Sequence, residues 1–145
     1  MIDLLTILKE KWSNIEHPLL IHGGRELYFS EVIEQSVVDL DRIKSGDVVA
    51  IIGDFEPMSI ATIISLVDKK VILVPLTQDT RMQHEYFFEA ARVNYVIENN
   101  VVTKVAGRAP NKLLDKLRNQ NHGGLVLFSS GTTGKPKAIL HDFSK

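Results

Sequence analysis

The stretch "LVLFSSGTTGKPKAILH", from Leu125 to His141, contains an apolar run, a nine-residue loop and a second apolar run. The loop, residues 129–137, consists only of Ser, Gly, Thr, Lys and Pro. Its glycines free the backbone, so that successive amide N–H groups can turn toward one anion. Its hydroxyl groups and lysines add further donors and positive charge. The residues predicted to bind a phosphate chain are Ser129, Ser130, Gly131, Thr132, Thr133, Gly134, Lys135 and Lys137.

This loop differs from the standard nucleotide-binding P-loop, in which four residues separate the glycines and Ser or Thr follows the lysine. Here two residues separate Gly131 from Gly134, and Pro136 follows Lys135. A flexible hairpin connection is the alternative interpretation of such a loop. The density of donors, the lysine pair and the apolar strand before the loop favour an anion site.

Outward from the loop, apolar runs alternate with segments of helical periodicity. The runs at 47–54, 71–76 and 125–129 have the β-branched content of strands buried on both faces, with Pro75 expected to end the second. Turn residues at 23–24 and 99–100 predict two hairpins. Helices are predicted at 3–14, at 31–43 with Ser30 as its cap, at 57–69 from Pro57, at 81–93 and at 111–120. This order predicts a three-layer α/β fold, a mostly parallel sheet with helices on both faces.

Composition is that of a globular protein, with 44% hydrophobic and 24% charged residues. No cysteine is present, which excludes disulfides and thiolate metal sites, and the chain has no signal-peptide pattern, so we expect a cytoplasmic protein. Residues 1–103 hold 9 basic and 16 acidic side chains (−7), whereas residues 104–145 hold 8 and 2 (+6). The basic end therefore carries the loop. Local attraction of an anion and a basic, solvated helix at 112–120 both account for this charge.

The segment Ser130–Lys137 resembles the phosphate-binding motif of the adenylate-forming superfamily, Ser-Gly-Thr-Thr-Gly-x-Pro-Lys, at all eight positions. That superfamily includes acyl-CoA synthetases and other AMP-dependent ligases. The segments "GGRELYFSEVIEQ" and "SLVDKKVILVPLTQD" are similar to early parts of the same family. Two departures are Ala138 and Lys69, which stand where many members have glycine.

The resemblance implies that residues 1–145 form the N-terminal part of an AMP-binding (adenylation) domain, ending just after the phosphate-binding loop. The later subdomains and the C-terminal domain would be absent, so we expect a fragment that is inactive alone. The family's catalytic lysine lies in the C-terminal domain, so no catalytic residue is predicted here. The natural partner of this part would be the remainder of its own chain. No feature suggests nucleic-acid binding or a membrane span.

The implied reaction uses ATP and Mg²⁺ to activate a carboxylic acid as an acyl-adenylate, with pyrophosphate released. A thiol of coenzyme A or of a carrier protein then takes the acyl group. Acyl-CoA ligase is the first interpretation. An amino-acid adenylation domain of a nonribosomal peptide synthetase is the second, and a non-catalytic phosphate-binding module or assembly subunit is the alternative from another class.

Histidine is a further residue type that can take part in a site, and the chain has five histidines. His141, four residues after the loop, is a candidate for the substrate pocket by the same resemblance, although a lone histidine in a strand is more often structural. The other histidines are scattered and show no metal-ligand spacing, so no metal ligands are predicted. Phe87 and Phe88 are expected to pack in the core.

Overall fold

The computed structural model of the chain describes residues 4–35, 39–105, 109–130 and 134–145. The helices are α1 (Leu4–Trp12), α2 (Phe29–Ile33), α3 (Pro57–Asp68), α4 (His84–Ala91) and α5 (Lys112–Asn119). The strands are β1 (Leu20–His22), β2 (Arg25–Leu27), β3 (Val48–Ile52), β4 (Ile72–Leu76), β5 (Tyr95–Glu98), β6 (Val101–Lys104), β7 (Gly124–Phe128) and β8 (Ala138–Asp142). Short 3-10 helices cover Leu40–Arg42 and Gln78–Gln83.

Six strands form one mixed sheet in the order β6-β5-β3-β4-β7-β8. The four inner strands are parallel, and β6 and β8 pair antiparallel with β5 and β7. Every residue of β3 is buried, and so is every residue of β4 except Pro75. Continuous apolar sequence in these strands is therefore explained by their central position, where both faces are covered.

Helices cover both faces of the sheet. Val49 of β3 packs with Leu66 of α3 on one face. Ala50 lies in the opposite core, with Phe87 of α4 and Leu114 of α5. The alternation follows from the two-residue period of a strand. The predicted three-layer α/β fold, with a mostly parallel sheet, is thus confirmed.

Both predicted hairpins are present, and their turns have the left-handed backbone that the sequence indicated. Gly23 and Gly24 have φ values of 58° and 75°, and they join β1 to β2. Asn99 and Asn100 have φ values of 49° and 63°, and they join β5 to β6. Two consecutive residues with positive φ match the right-handed twist of the flanking strands.

The predicted cap at Ser30 is wrong, because α2 already begins at Phe29. Glu31 instead reaches back to accept a hydrogen bond of 2.9 Å from the Tyr28 N–H. Nor do the described residues form one helix over 31–43, since α2 ends at Ile33, residues 36–38 lie outside the described ranges, and a 3-10 helix follows at Leu40–Arg42.

The expectation that Pro75 ends its strand is also wrong, because β4 continues to Leu76. The Leu76 carbonyl accepts a hydrogen bond from Gly53 N–H beyond β3, so the backbone of Pro75 points the other way, toward β7. Pairing between β4 and β7 covers only Ile72 and Leu73. The missing N–H of proline therefore costs the sheet no hydrogen bond at this position.

The predicted helix at 81–93 is shorter than expected, since α4 begins at His84 after the 3-10 helix. His84 is buried, and its Nε2 lies 3.0 Å from the Thr77 carbonyl oxygen and 3.1 Å from Thr80 Oγ1. The histidine thus fixes the turn that connects β4 to α4. No helix in the described parts of the chain is long and apolar enough to cross a membrane.

Candidate functional site

The predicted phosphate-binding loop lies at the carboxyl end of β7, at the edge of the sheet where β3, β4 and β5 also end. In parallel α/β sheets this edge is the usual position of ligand sites. The sequence placed a strand before the loop, and the structure adds a five-residue strand after it, which pairs with β7 from Phe128↔Ala138 to Gly124↔Asp142. The loop therefore connects the two strands of an antiparallel hairpin, at the edge of the sheet where the parallel strands have their carboxyl ends.

The two ends of the loop are joined by hydrogen bonds. Ser129 N–H donates to the Lys137 carbonyl over 3.0 Å, and Lys137 N–H donates to Ser129 Oγ over 3.2 Å. Ser129 thus uses both its backbone and its side chain to close the base of the loop. In this arrangement its hydroxyl oxygen accepts the Lys137 N–H.

An aromatic side chain of α4 contacts the second half of the loop. Tyr86 Oη donates a hydrogen bond of 2.7 Å to the Pro136 carbonyl. Lys135 Nζ lies 5.1 Å from the centroid of the same ring, within the range of a cation–π interaction. No sequence pattern indicates this contact, because its two partners lie 50 positions apart along the chain.

The end of β7, just before the loop, is anchored by stacking. Phe128, the last residue of β7, stacks on Phe87 with ring centroids 4.1 Å apart and an interplanar angle of 27°. The Tyr86 ring lies 6.5 Å from Phe128 and 5.9 Å from Phe87. Phe87 and Phe88 are both buried, as expected. The strand that enters the loop and the segment that leaves it are therefore both held against α4.

Several of the residues that are predicted to bind phosphate are accessible to solvent. Ser130, Gly134, Lys135 and Lys137 are exposed. Gly134 has a φ of 94°, a conformation that favours glycine, and nothing lies within 4 Å of the position a Cβ would take. Two ammonium groups, hydroxyl donors and an open backbone fit the chemistry of a polyphosphate chain. Gly131, Thr132 and Thr133 lie outside the described residues, and the phosphate role of the whole set stays a prediction.

His141 is exposed on β8, opposite Leu125 of β7. Leu125 packs on the α3 side of the sheet, whereas Phe128 packs on the α4 side. Because directly opposed residues share a face, His141 lies on the face away from the Tyr86 contact. The structure therefore does not bring His141 together with Lys135. Its role in a substrate pocket stays a prediction.

The departure from the family motif at Ala138 causes no backbone strain. This residue begins β8, pairs with Phe128, and is not among the described residues with positive φ. An alanine takes an extended conformation without cost, so the methyl group is simply exposed.

A second concave region lies at the same edge of the sheet, beside β3 and β5. It has a volume of about 300 Å³ and an apolar floor that includes Ile52 and Ile97. Its rim carries Glu56 and Glu98, together with the asparagines of the β5–β6 turn. No sequence pattern indicates this region, because its lining comes from segments that are distant along the chain.

Both glutamates of this cleft are held in the ionised form. Burial raises the pKa of Glu56, but hydrogen bonds from its own backbone, Ser59 and the Asp54 N–H outweigh it, so that its pKa is lowered overall. The hydrogen bond from Gln78 and the contact with Arg81 lower the pKa of Glu98. Because Glu56 and Glu98 are already satisfied by protein donors, they act first as structural groups. Among the described residues no cluster of His, Asp and Glu could hold a metal ion.

Neither a family model nor a curated protein matches the chain. Solved structures do match it. The N-terminal subdomain of NpsA from Klebsiella oxytoca, in complex with 3-hydroxyanthranilyl-AMSN, has 21% identity and a TM-score of 0.67 over 97% of this chain and 40% of that chain. O-succinylbenzoate coenzyme A synthetase (MenE) from Bacillus subtilis, in complex with AMP, has 16% identity and a TM-score of 0.64 over 94% and 42%.

The inhibitor-bound N-terminal domain of FACL13 from Mycobacterium tuberculosis has 12% identity and a TM-score of 0.65 over 98% of this chain and 44% of that chain. These structures are N-terminal parts of adenylate-forming enzymes or contain such a part. This chain has the same fold as those N-terminal subdomains. The chain spans about 40% of the length of the solved chains it resembles.

Proposed function

We propose that this chain is the N-terminal part of an adenylate-forming enzyme, with the loop at 129–137 as its site for the β- and γ-phosphates of ATP. One observation carries the proposal: the eight-residue motif of Ser130–Lys137 follows a strand of the adenylate-forming N-terminal fold at the ligand-binding edge of its sheet. The AMP bound to MenE supports the use of an adenine nucleotide. The exposed lysines and the open backbone at Gly134 suit a polyphosphate.

In the proposed reaction, a carboxylate oxygen of the substrate attacks the α-phosphorus of ATP. A new oxygen–phosphorus bond forms, the bond from the α-phosphorus to the bridging oxygen breaks, and pyrophosphate leaves with the electron pair. A thiol then attacks the acyl carbon, loses its proton, and releases AMP. No general base is needed for the first step, because a carboxylate is already ionised at neutral pH.

The role of the loop is positioning and charge neutralisation. Its hydroxyl groups and amides would hold the β- and γ-phosphates in line with the attacking oxygen. Lys135 and Lys137 would stabilise the charge that develops on the departing pyrophosphate. Mg²⁺, when bound to the phosphates, supplies additional neutralisation.

For the complete enzyme we propose an acyl-CoA ligase acting on a carboxylic acid, with coenzyme A or a carrier-protein thiol as acceptor. The rest of the active site, including the catalytic lysine, would come from the remainder of the polypeptide, so that the 145-residue part is inactive alone. The absence of cysteine is in keeping with a reducing compartment such as the cytoplasm.

The test is carboxylate-dependent exchange of labelled pyrophosphate into ATP. The longest polypeptide that the gene encodes is assayed over a panel of aliphatic, aromatic and amino acids, with the 145-residue chain as control. Exchange by the long form and none by the short form is expected. Exchange with amino acids alone would indicate an amino-acid adenylation domain instead of an acyl-CoA ligase. The absence of exchange with every acid would contradict the proposal and favour a non-catalytic phosphate-binding module.

A further inference from the structure

Tyr86 of α4 contacts the second half of the predicted phosphate-binding loop, residues 134–137, in two ways. Within the described residues, it is the one side chain from another element that both donates a hydrogen bond to this segment and contacts one of its lysines. Tyr86 donates 2.7 Å to the Pro136 carbonyl, and its ring lies 5.1 Å from Lys135 Nζ. Gly134 and Lys135 are otherwise exposed. The tyrosine therefore holds this part of the loop against α4.

Tyr86 itself is held by a rigid support. Its neighbours on α4, Phe87 and Phe88, have relative exposures of 3% and 9%. The Phe87 ring stacks on Phe128 at 4.1 Å, which ties α4 to the end of β7. A side chain on a packed helix can fix a glycine-rich loop more accurately than the loop can fix itself.

We propose that Tyr86 is a positioning residue for the phosphates of ATP. Its hydroxyl holds the Pro136 carbonyl, so that the backbone leaving the loop has one position. Its ring holds the ammonium of Lys135, the residue after the exposed Gly134, where it would meet the pyrophosphate part of ATP. The inference rests on the proposed function, since it assigns a role within the same site.

The tyrosine acts through the loop and touches no reacting atom. Its contribution is greatest for the binding of ATP and small for the binding of the carboxylic acid. Removal of the hydroxyl alone keeps the ring and the cation–π contact, whereas removal of the ring eliminates both. This difference separates the two contacts experimentally.

The test compares Tyr86→Phe, Tyr86→Leu and the control Tyr95→Phe in the longest polypeptide that the gene encodes. Tyr95 lies on β5, on the opposite side of the sheet from Tyr86, and packs with the core that contains Val49 and Leu66. Tyr86→Phe is expected to raise the KM for ATP about fivefold, the effect of one net hydrogen bond. Tyr86→Leu should raise it further, and Tyr95→Phe should leave it unchanged.

The KM for the carboxylic acid and the melting temperature of Tyr86→Phe are expected to match the wild type, a result that a merely structural role would not give. An unchanged KM for ATP in Tyr86→Phe would overturn the inference. Equal changes in the two KM values would also overturn it, because they would indicate a general disturbance of the enzyme.

A second measurement separates this inference from the proposed function. Trypsin cleaves poorly between Lys135 and Pro136, so cleavage after Lys137 is the readout. Its rate reports how often the end of the loop opens, and no substrate is needed. We expect faster cleavage in Tyr86→Phe than in Tyr95→Phe. Equal rates would contradict the claim that the Tyr86 hydroxyl holds the Pro136 carbonyl in place. If the wild type shows no pyrophosphate exchange while the cleavage rates differ, the proposed function fails and the role of Tyr86 in ATP binding fails with it, whereas the contact itself stands.

Discussion

Replacement of Gly124 by alanine should destabilise the hairpin that carries the loop. This glycine begins β7 and lies between two strands, with its N–H bonded to Val71 on one side and its Cα opposite Asp142 on the other. A Cβ at this position would lie 2.7 Å from the His141 carbonyl oxygen and 2.6 Å from Leu117 Cδ2. The leucine side chain can rotate, but the carbonyl belongs to the backbone of β8.

To restore an ordinary contact of 3.4 Å, β8 must move away from β7 by roughly 0.7 Å. Overpacking of this kind costs about 1–3 kcal/mol. For a chain of this length, about 3 °C is lost for each kcal/mol, so the melting temperature should fall by roughly 3–9 °C.

The assay is thermal and urea unfolding of the 145-residue chain, followed by circular dichroism. Gly123→Ala is the matched control, because its Cβ would lie no closer than 3.2 Å to any atom and should cost less than half as much. A Gly124→Ala variant within about 0.5 kcal/mol of the wild type would refute the claim that β8 is fixed against Gly124.

Two further predictions concern single side chains. The backbone N–H of Ser144, with smaller contributions from the Ser144 hydroxyl and His122, lowers the pKa of Asp142 from 3.8 to about 2. Its stabilising contribution is therefore present above pH 3.8 and is lost as the pH falls through about 2. Unfolding midpoints in acid should depend on pH less steeply in Asp142→Asn than in the wild type, with Glu56 and Glu98 supplying the dependence that remains. The Asn111 side chain accepts hydrogen bonds of 3.0 and 3.2 Å from the N–H groups of Leu113 and Leu114, so Asn111→Ala should cost about 1 kcal/mol in urea unfolding while Asn111→Asp costs less. An unaltered Asn111→Ala midpoint would show that α5 does not depend on this cap.

Local features of the fold could be predicted because their signals are local. The glycine pair at 23–24 and the asparagine pair at 99–100 carry positive φ, and residue type alone indicates such turns. The continuous apolar sequence of β3 indicated a strand covered on both faces. Pro57 begins α3, where its missing N–H has no intrahelical partner to lose.

Features that depend on distant neighbours could not be predicted in the same way. A proline typically ends a strand. The sheet accommodates Pro75 inside β4 because the pairing between β4 and β7 stops before this residue. The Tyr86 contact joins α4 to the loop across 50 residues. The cleft beside β3 is lined by residues of β3, the β3–α3 connection, α3, β5 and the β5–β6 turn. The loop sequence predicted the chemistry of the site, whereas only the assembled sheet supplies the support that positions it.

The affinity of Mg²⁺–ATP for the longest polypeptide that the gene encodes, measured by calorimetry in the wild type and in Lys137→Ala, tests the central claim most directly. Loss of an ammonium that contacts phosphate should weaken binding by about 10- to 100-fold, since a hydrogen bond to a charged group contributes about 1.5–3 kcal/mol. Lys112→Ala on α5 removes the same charge from a surface outside the loop and should leave the affinity unchanged. Equal affinities for the wild type and Lys137→Ala would contradict the assignment of the loop as the phosphate site.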